Sequence, residues 1–372
     1  MVKNYTLDDE MVTLAAITYR GFDLPLPEGL KRPLMYRAMS KCLATLGPVI
    51  PSRWEIIWGP VSHPDGSLKI DDAAIFVARS LANPNKLVIA VRGTNPISLK
   101  DWISEDFAVT KMALWPYNQT GGKVSASTLY GLHLLQSLHA KPRTETSPPK
   151  QHDLLAQIGD AIVHPASLVS IVNEARDKEA GGVTLIELLA ALIAERAAKA
   201  SPKLQIYVTG HSKGGTLSST LALWLADTQS GAAGNWSNKD EAEIIAYSFA
   251  GPTAGDAAFA EHSKNVFGSR CHRIYNAYDI APMAWSDLKG IPSLYGAPGD
   301  WPGVLLIDPI AAKVEGLGYH QIEVGQKLTP PVRPAKPSPW QIIYQHLDGY
   351  LEAMGLLDEM SAVRTFLNPI PF

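Results

Sequence analysis

Leu204-Gln-Ile-Tyr-Val-Thr-Gly-His-Ser-Lys-Gly-Gly215 is the stretch whose reading decides the fold. Leu204 to Val208 is an apolar run too short for a helix, with the β-branched and aromatic side chains of a buried strand. Leu217 to Ala226 is apolar and small-residue-rich at helical length. Between them lies Gly210-His-Ser-Lys-Gly214, a G-x-S-x-G string that chance would produce about 0.16 times in a chain of this composition. Alone it is a weak signal; its setting strengthens it. A strand, a glycine-flanked turn and a helix force a serine onto a strained bend with its oxygen exposed. The flanking glycines let the turn close where a Cβ would collide. The competing reading is a serine that merely caps the helix in a glycine-rich turn.

The rest of the chain fits a strand of this kind. Trp54–Trp58, Ala74–Ala78 and Leu87–Val91 are short aromatic and β-branched runs, separated by His63-Pro-Asp-Gly66 and Asn83-Pro-Asn85. They read as strands, as do Ile244–Phe249 and His272–Tyr275. Helices are expected at Val12–Tyr19, after an acidic stretch, and around Leu185–Ile193, where Thr184 and Glu187 fit a capping box. A last helix is expected over Trp340–Met354. Strands alternating with helices predict an α/β fold with a mostly parallel central sheet covered on both faces. Pro142 to His152 is a proline-rich connector, and Pro330 to Pro339 holds five prolines. There is no internal repeat.

Composition narrows the function classes. The 372 residues are 46% hydrophobic and 19% charged, the profile of an ordinary globular protein rather than a disordered one. A net charge of -3 offers no basic stripe for nucleic acid. Cys42 and Cys271 are the two cysteines, enough for one disulfide but not for a bridged scaffold or a structural zinc site. No apolar run approaches the roughly 18 residues of a transmembrane helix. The acidic amino terminus does not resemble a secretion leader. The expected compartment is therefore the cytoplasm, with non-classical secretion as the alternative.

A serine hydroxyl needs a base and an orienting carboxylate to act as a nucleophile. In a nucleophile-elbow fold these follow in the order Ser, Asp, His. Asp279 follows the strand-like segment ending at Tyr275-Asn276; its bland reading is a turn aspartate before Pro282. Two histidines lie beyond it. His320 opens a short strand-like segment, whereas His346 follows the proline-rich loop, which can carry it over the strand ends. His211 adjoins the serine and reads as a packing or turn residue. The developing oxyanion needs donors. One is the backbone N–H of Lys213, at the positive end of the following helix. The other is expected from Arg92-Gly-Thr-Asn95, with Thr94 offering both N–H and hydroxyl. No metal-ligand spacing is present, and this chemistry calls for no cofactor.

Four segments in sequence order resemble the class 3 lipase family of α/β-hydrolases. They are Val88-Ile-Ala-Val-Arg-Gly-Thr94 with Asp101-Trp102, Val208–Gly215, Tyr247–Gly255 with Ala258-Phe-Ala260, and Arg273–Pro282. The resemblance implies an α/β-hydrolase fold and assigns the base: Gly318-Tyr-His320 matches a family element that is not catalytic, whereas His346 with Tyr350 matches the family histidine followed by an aromatic. The implied site is Ser212, Asp279 and His346, with Thr94 and Lys213 as the oxyanion hole. Lys213 stands where many members carry leucine. The whole chain, 1–372, is expected to form one domain. Within it residues 95–110 are a candidate lid, with Leu99, Trp102, Ile103 and Phe107 on one helical face, and residues 141–182 are an inserted helical subdomain. The implied reaction is hydrolysis of carboxylic esters, with acylglycerols as substrate and a lipid interface as contact. Phospholipase A1 or acyltransferase chemistry on the same triad is the alternative. A non-catalytic binder on a hydrolase scaffold is the alternative of another class.

Overall fold

The computed structural model describes residues 4–20, 28–47, 50–62, 74–93, 107–143, 182–199, 201–231, 234–238, 241–294, 304–332 and 339–360. Helix α1 (Leu7–Ile17) and α2 (Glu28–Thr45) precede strands β1 (Trp54–Ser62), β2 (Ala74–Ser80) and β3 (Lys86–Val91). Then come β4 (Met112–Leu114), β5 (Lys123–Ser125), α3 (Ala126–Ser137), β6 (His139–Ala140), β7 (Val183–Thr184) and α4 (Leu185–Ala198). Strand β8 (Leu204–His211), α5 (Lys213–Asp227), β9 (Ala242–Phe249), β10 (Gly255–Asp256), α6 (Ala257–Phe267) and β11 (Cys271–Asn276) follow. The chain continues through α7 (Val304–Val314), β12 (Tyr319–His320), β13 (Gln326–Leu328), α8 (Pro339–His346) and α9 (Asp348–Ala353).

Seven strands form the main sheet in the order β1-β2-β3-β8-β9-β11-β13. The first two pairings are antiparallel, and every pairing from β3 to β13 is parallel. The mostly parallel α/β sheet expected from the alternation of strands and helices is therefore present, with β8 at its centre. Alternate residues of each strand serve two cores, as the two-residue period of a strand demands. Leu87, Ile89 and Val91 of β3, with Ile206 and Val208 of β8, face a core that includes Leu132, Leu188 and Leu221 from α3, α4 and α5. Val88, Ala90 and Tyr207 face the other, with Met11 and Leu14 of α1 and Met35 of α2. Burying such side chains contributes about 1.5–3 kcal/mol each, so the sheet is held from both faces.

Local chemistry sets several boundaries. The acidic stretch expected to precede the first helix is its first turn. Thr6 accepts from the Asp9 N–H at 3.2 Å and Asp9 Oδ2 accepts from the Thr6 N–H at 2.8 Å, a capping box that starts α1 at Leu7. Thr184 and Glu187 form the box that their spacing predicts. The single carboxyl-terminal helix expected over Trp340–Met354 is instead two, α8 and α9, broken at Leu347 (φ −112°, ψ −78°). The break falls where the His346 carbonyl is taken by the His211 ring at 2.7 Å, a tertiary bond from a distant element. Cys42 and Cys271 are buried and free, so no disulfide joins them. Among the described residues no helix is long and apolar enough to cross a membrane.

Candidate active site

The turn between β8 and α5 holds Ser212 at φ 62° and ψ −134°. A non-glycine residue at positive φ costs of order 1–3 kcal/mol and persists only where its surroundings fix it. Here the Ser212 N–H donates to the Phe249 carbonyl at 2.9 Å, and its carbonyl accepts from the Gly215 N–H at 2.8 Å. The turn is as tight as its glycines suggest: a Cβ on Gly210 would strike the Gly214 carbonyl, and one on Gly214 would strike the Val91 carbonyl. The Ser212 side chain makes no capping hydrogen bond to α5, which removes the capping-serine reading. Lys213 opens α5, where the helix dipole is positive.

Asp279 lies in the turn after β11 and is buried, its N–H donating to the Asn276 carbonyl at 3.1 Å. His346, the last residue of α8, is also buried. Its Nδ1 lies 2.9 Å from Asp279 Oδ2 and 3.1 Å from Oδ1. A carboxylate can only accept there, so Nδ1 carries a proton, and in the neutral ring Nε2 is then the nitrogen with the free lone pair. Two further donors saturate the carboxylate. The Ala281 N–H reaches Oδ1 at 3.0 Å and the Tyr350 hydroxyl reaches Oδ2 at 2.9 Å. Burial, reinforced by the Asp279 charge, pushes the Tyr350 hydroxyl well above its ordinary range and keeps it a donor.

The histidine helix and the acid turn are tied together by Tyr350 and by two residues that sequence reasoning did not single out, Asn276 and Gln345. Asn276 Nδ2 donates to the Gln345 carbonyl and to its Oε1, both at 2.7 Å, and the Asn276 N–H donates to the Tyr350 hydroxyl at 3.0 Å. Its place at the end of β11, three residues before Asp279, was the one local sign of Asn276. The His346 ring also lies 4.7 Å, centroid to centroid, from the ring of His211, the residue before Ser212. Elbow, acid and imidazole thus converge from β8, β11 and α8. His320, by contrast, is exposed on β12 with Nδ1 2.9 Å from the Gln321 carbonyl.

An open cleft beside the elbow is lined by Lys213, Thr216, Leu217, Val109, Thr253 and Trp285, among others. Its lining mixes polar side chains, Ser127, Thr128, Lys213, Thr216 and Thr253, with the apolar Val109, Leu217, Pro252 and Trp285. Thr94, Leu99, Trp102 and Ile103 lie outside the described residues, as do most of 141–182 and the side chain of Phe107.

Residues 88–288 match the sequence profile of the family described as lipase (class 3). The crystal structure of M37 lipase is similar with a TM-score of 0.75 at 30% identity, over 98% of this chain and 98% of that one. The Rhizomucor miehei triacylglyceride lipase gives a TM-score of 0.43 at 19% identity, over 74% of this chain and 72% of that one. No curated protein sequence matches the chain. The profile spans more than half of the residues and the M37 relative nearly all of them: the chain belongs to the class 3 lipase family and has the α/β-hydrolase fold.

Proposed function

We propose that the protein hydrolyses carboxylic esters as a triacylglycerol lipase or carboxylesterase through an acyl-enzyme on Ser212. The observation that carries this reading is the buried His346, whose Nδ1 is fixed by Asp279 while its ring lies against the residue preceding the serine. Ser212 Oγ attacks the ester carbonyl and His346 Nε2 takes its proton. The Asp279 carboxylate stabilises the imidazolium, and the oxyanion rests on Lys213 N–H and on Thr94. The protonated imidazole then gives its proton to the leaving alcohol. Water, deprotonated by the same nitrogen, releases the acid and restores the serine.

The acylglycerol assignment rests on the family and on the partly apolar cleft beside Ser212. Residues 95–110 are read as a lid of a single domain, 1–372, with 141–182 as its inserted helical part. In support, Val109 at the end of the lid lines the cleft, and its carbonyl accepts from the buried Tyr319 hydroxyl at 2.6 Å. The test is a rate profile on p-nitrophenyl esters from acetyl to palmitoyl, with triacylglycerol and phosphatidylcholine emulsions alongside. The proposal expects appreciable turnover of long chains and of triacylglycerol. A monotonic fall with chain length would replace lipase by short-chain esterase, and selective turnover of the phospholipid would replace it by phospholipase A1.

A further inference from the structure

His211, next to Ser212, reads from sequence as packing, yet every polar atom of its ring is engaged with another segment. His211 Nε2 lies 2.7 Å from the His346 carbonyl, an acceptor, so this nitrogen carries the proton. That leaves Nδ1 as an acceptor, and the Tyr19 hydroxyl stands 3.0 Å from it. The same hydroxyl lies 3.2 Å from the His211 carbonyl. Burial, with the nearby His346 adding to it, holds the His211 pKa well below its usual range, so the ring stays neutral in this tautomer.

The network extends beyond the elbow. A Cβ on Gly93 would collide with both the Tyr19 hydroxyl and the His211 carbonyl, so the turn after β3 presses directly on this junction. Burial raises the Tyr19 hydroxyl well above its ordinary range, offset by the Arg92 guanidinium and by a hydrogen bond from the Gly93 backbone. Tyr19 therefore remains an O–H donor toward the elbow while its oxygen receives the β3 turn. It stands two residues after α1, outside the 88–288 stretch that the family profile matches.

We propose that Tyr19 and His211 are positioning residues that fix the turn after β3, the serine elbow and the His346 backbone to one another through one hydrogen-bonded chain. The amino-terminal segment is then part of the catalytic framework. His211 Nε2–H holds the His346 carbonyl at the point where α8 ends, which fixes that end of the helix to the serine elbow. Tyr19 fixes the His211 tautomer and draws Gly93 toward the same point. The inference rests on the serine-hydrolase reading above.

The test compares the wild type with Tyr19→Phe, His211→Gln and His211→Leu. Each is titrated with a fluorophosphonate to count active sites, then assayed on p-nitrophenyl butyrate for kcat per titrated site and KM. Thermal midpoints are recorded alongside. Tyr19→Phe, which removes one oxygen and no bulk, is expected to lower per-site kcat ~5–20-fold with KM within about twofold. His211→Leu is expected to lose ~50-fold or more. His211→Gln, whose Nε2 can still donate to the His346 carbonyl, is expected to recover most of that loss. Per-site kcat unchanged in Tyr19→Phe would overturn the proposal even if the thermal midpoint fell, as would Gln no better than Leu at position 211. A wild type that the probe never labels would overturn the hydrolase reading and this inference together, an outcome distinct from labelled variants with undiminished rates.

Discussion

The Tyr350 hydroxyl donates to Asp279 Oδ2 at 2.9 Å while accepting the Asn276 N–H at 3.0 Å. A buried carboxylate facing an imidazole therefore carries a second side-chain donor from α9, four residues after His346. Tyr350→Phe deletes that donor without altering ring packing. It is expected to lower stability by about 1–3 kcal/mol, the cost of a lost hydrogen bond to a buried charged group. It should also lower kcat several-fold by loosening the carboxylate. Urea denaturation and steady-state rates measure the two effects.

Asp279→Asn tests the tautomer argument. An amide nitrogen facing His346 Nδ1 would donate to it and move the ring proton to Nε2, the wrong nitrogen for accepting from Ser212. The expected fall in kcat is ~10³–10⁴-fold. Circular dichroism should show the fold retained.

Acid stability follows from His211. Its pKa is held low in the folded protein, first by burial, whereas the unfolded imidazole titrates near 6.5. The unfolded state therefore binds the extra proton as the pH falls. The contribution to stability is complete above about pH 6.5 and declines below it, by at most ~1.4 kcal/mol per pH unit for one proton. His272, lowered mainly by burial, adds in the same direction. Denaturation midpoints from pH 7 to 5 should fall less steeply in His211→Gln than in the wild type. Equal slopes would show that His211 does not dominate this loss.

Asp227 provides a structural contrast remote from the chemistry. At the end of α5 it accepts from Trp115 Nε1 at 2.7 Å, Asn118 Nδ2 at 3.2 Å and His262 Nε2 at 2.9 Å. Asp227→Ala strands the buried Trp115 N–H and is expected to cost about 2–4 kcal/mol. Per-site kcat should stay within about twofold. A large change in per-site rate with little loss of stability would contradict this division.

Much of this architecture was legible because its signals are local. Leu204–Val208 announces a buried strand, Gly210 and Gly214 announce a turn that tolerates no Cβ, and Thr184 with Glu187 announces a helix start. The approach of Asp279 and His346 joins residues 67 apart, and their order along the chain only suggested it. The rest depends on contacts that no local pattern encodes. The His211–His346 bond spans 135 residues and the Tyr19–His211 bond 192. That first bond also coincides with the break at Leu347, inside a run whose apolar spacing reads as one helix. His211 looked like a packing residue because its partners arrive from both ends of the chain.

The central claim is that Ser212 is the nucleophile served by His346. The direct measurement is stoichiometric reaction with a fluorophosphonate, followed by mass mapping of the adduct in the wild type, Ser212→Ala and His346→Ala. One adduct per chain is predicted, on Ser212, absent from Ser212→Ala and formed at least ~10²-fold more slowly in His346→Ala. An adduct on another serine, or ester turnover that survives Ser212→Ala, would contradict the account.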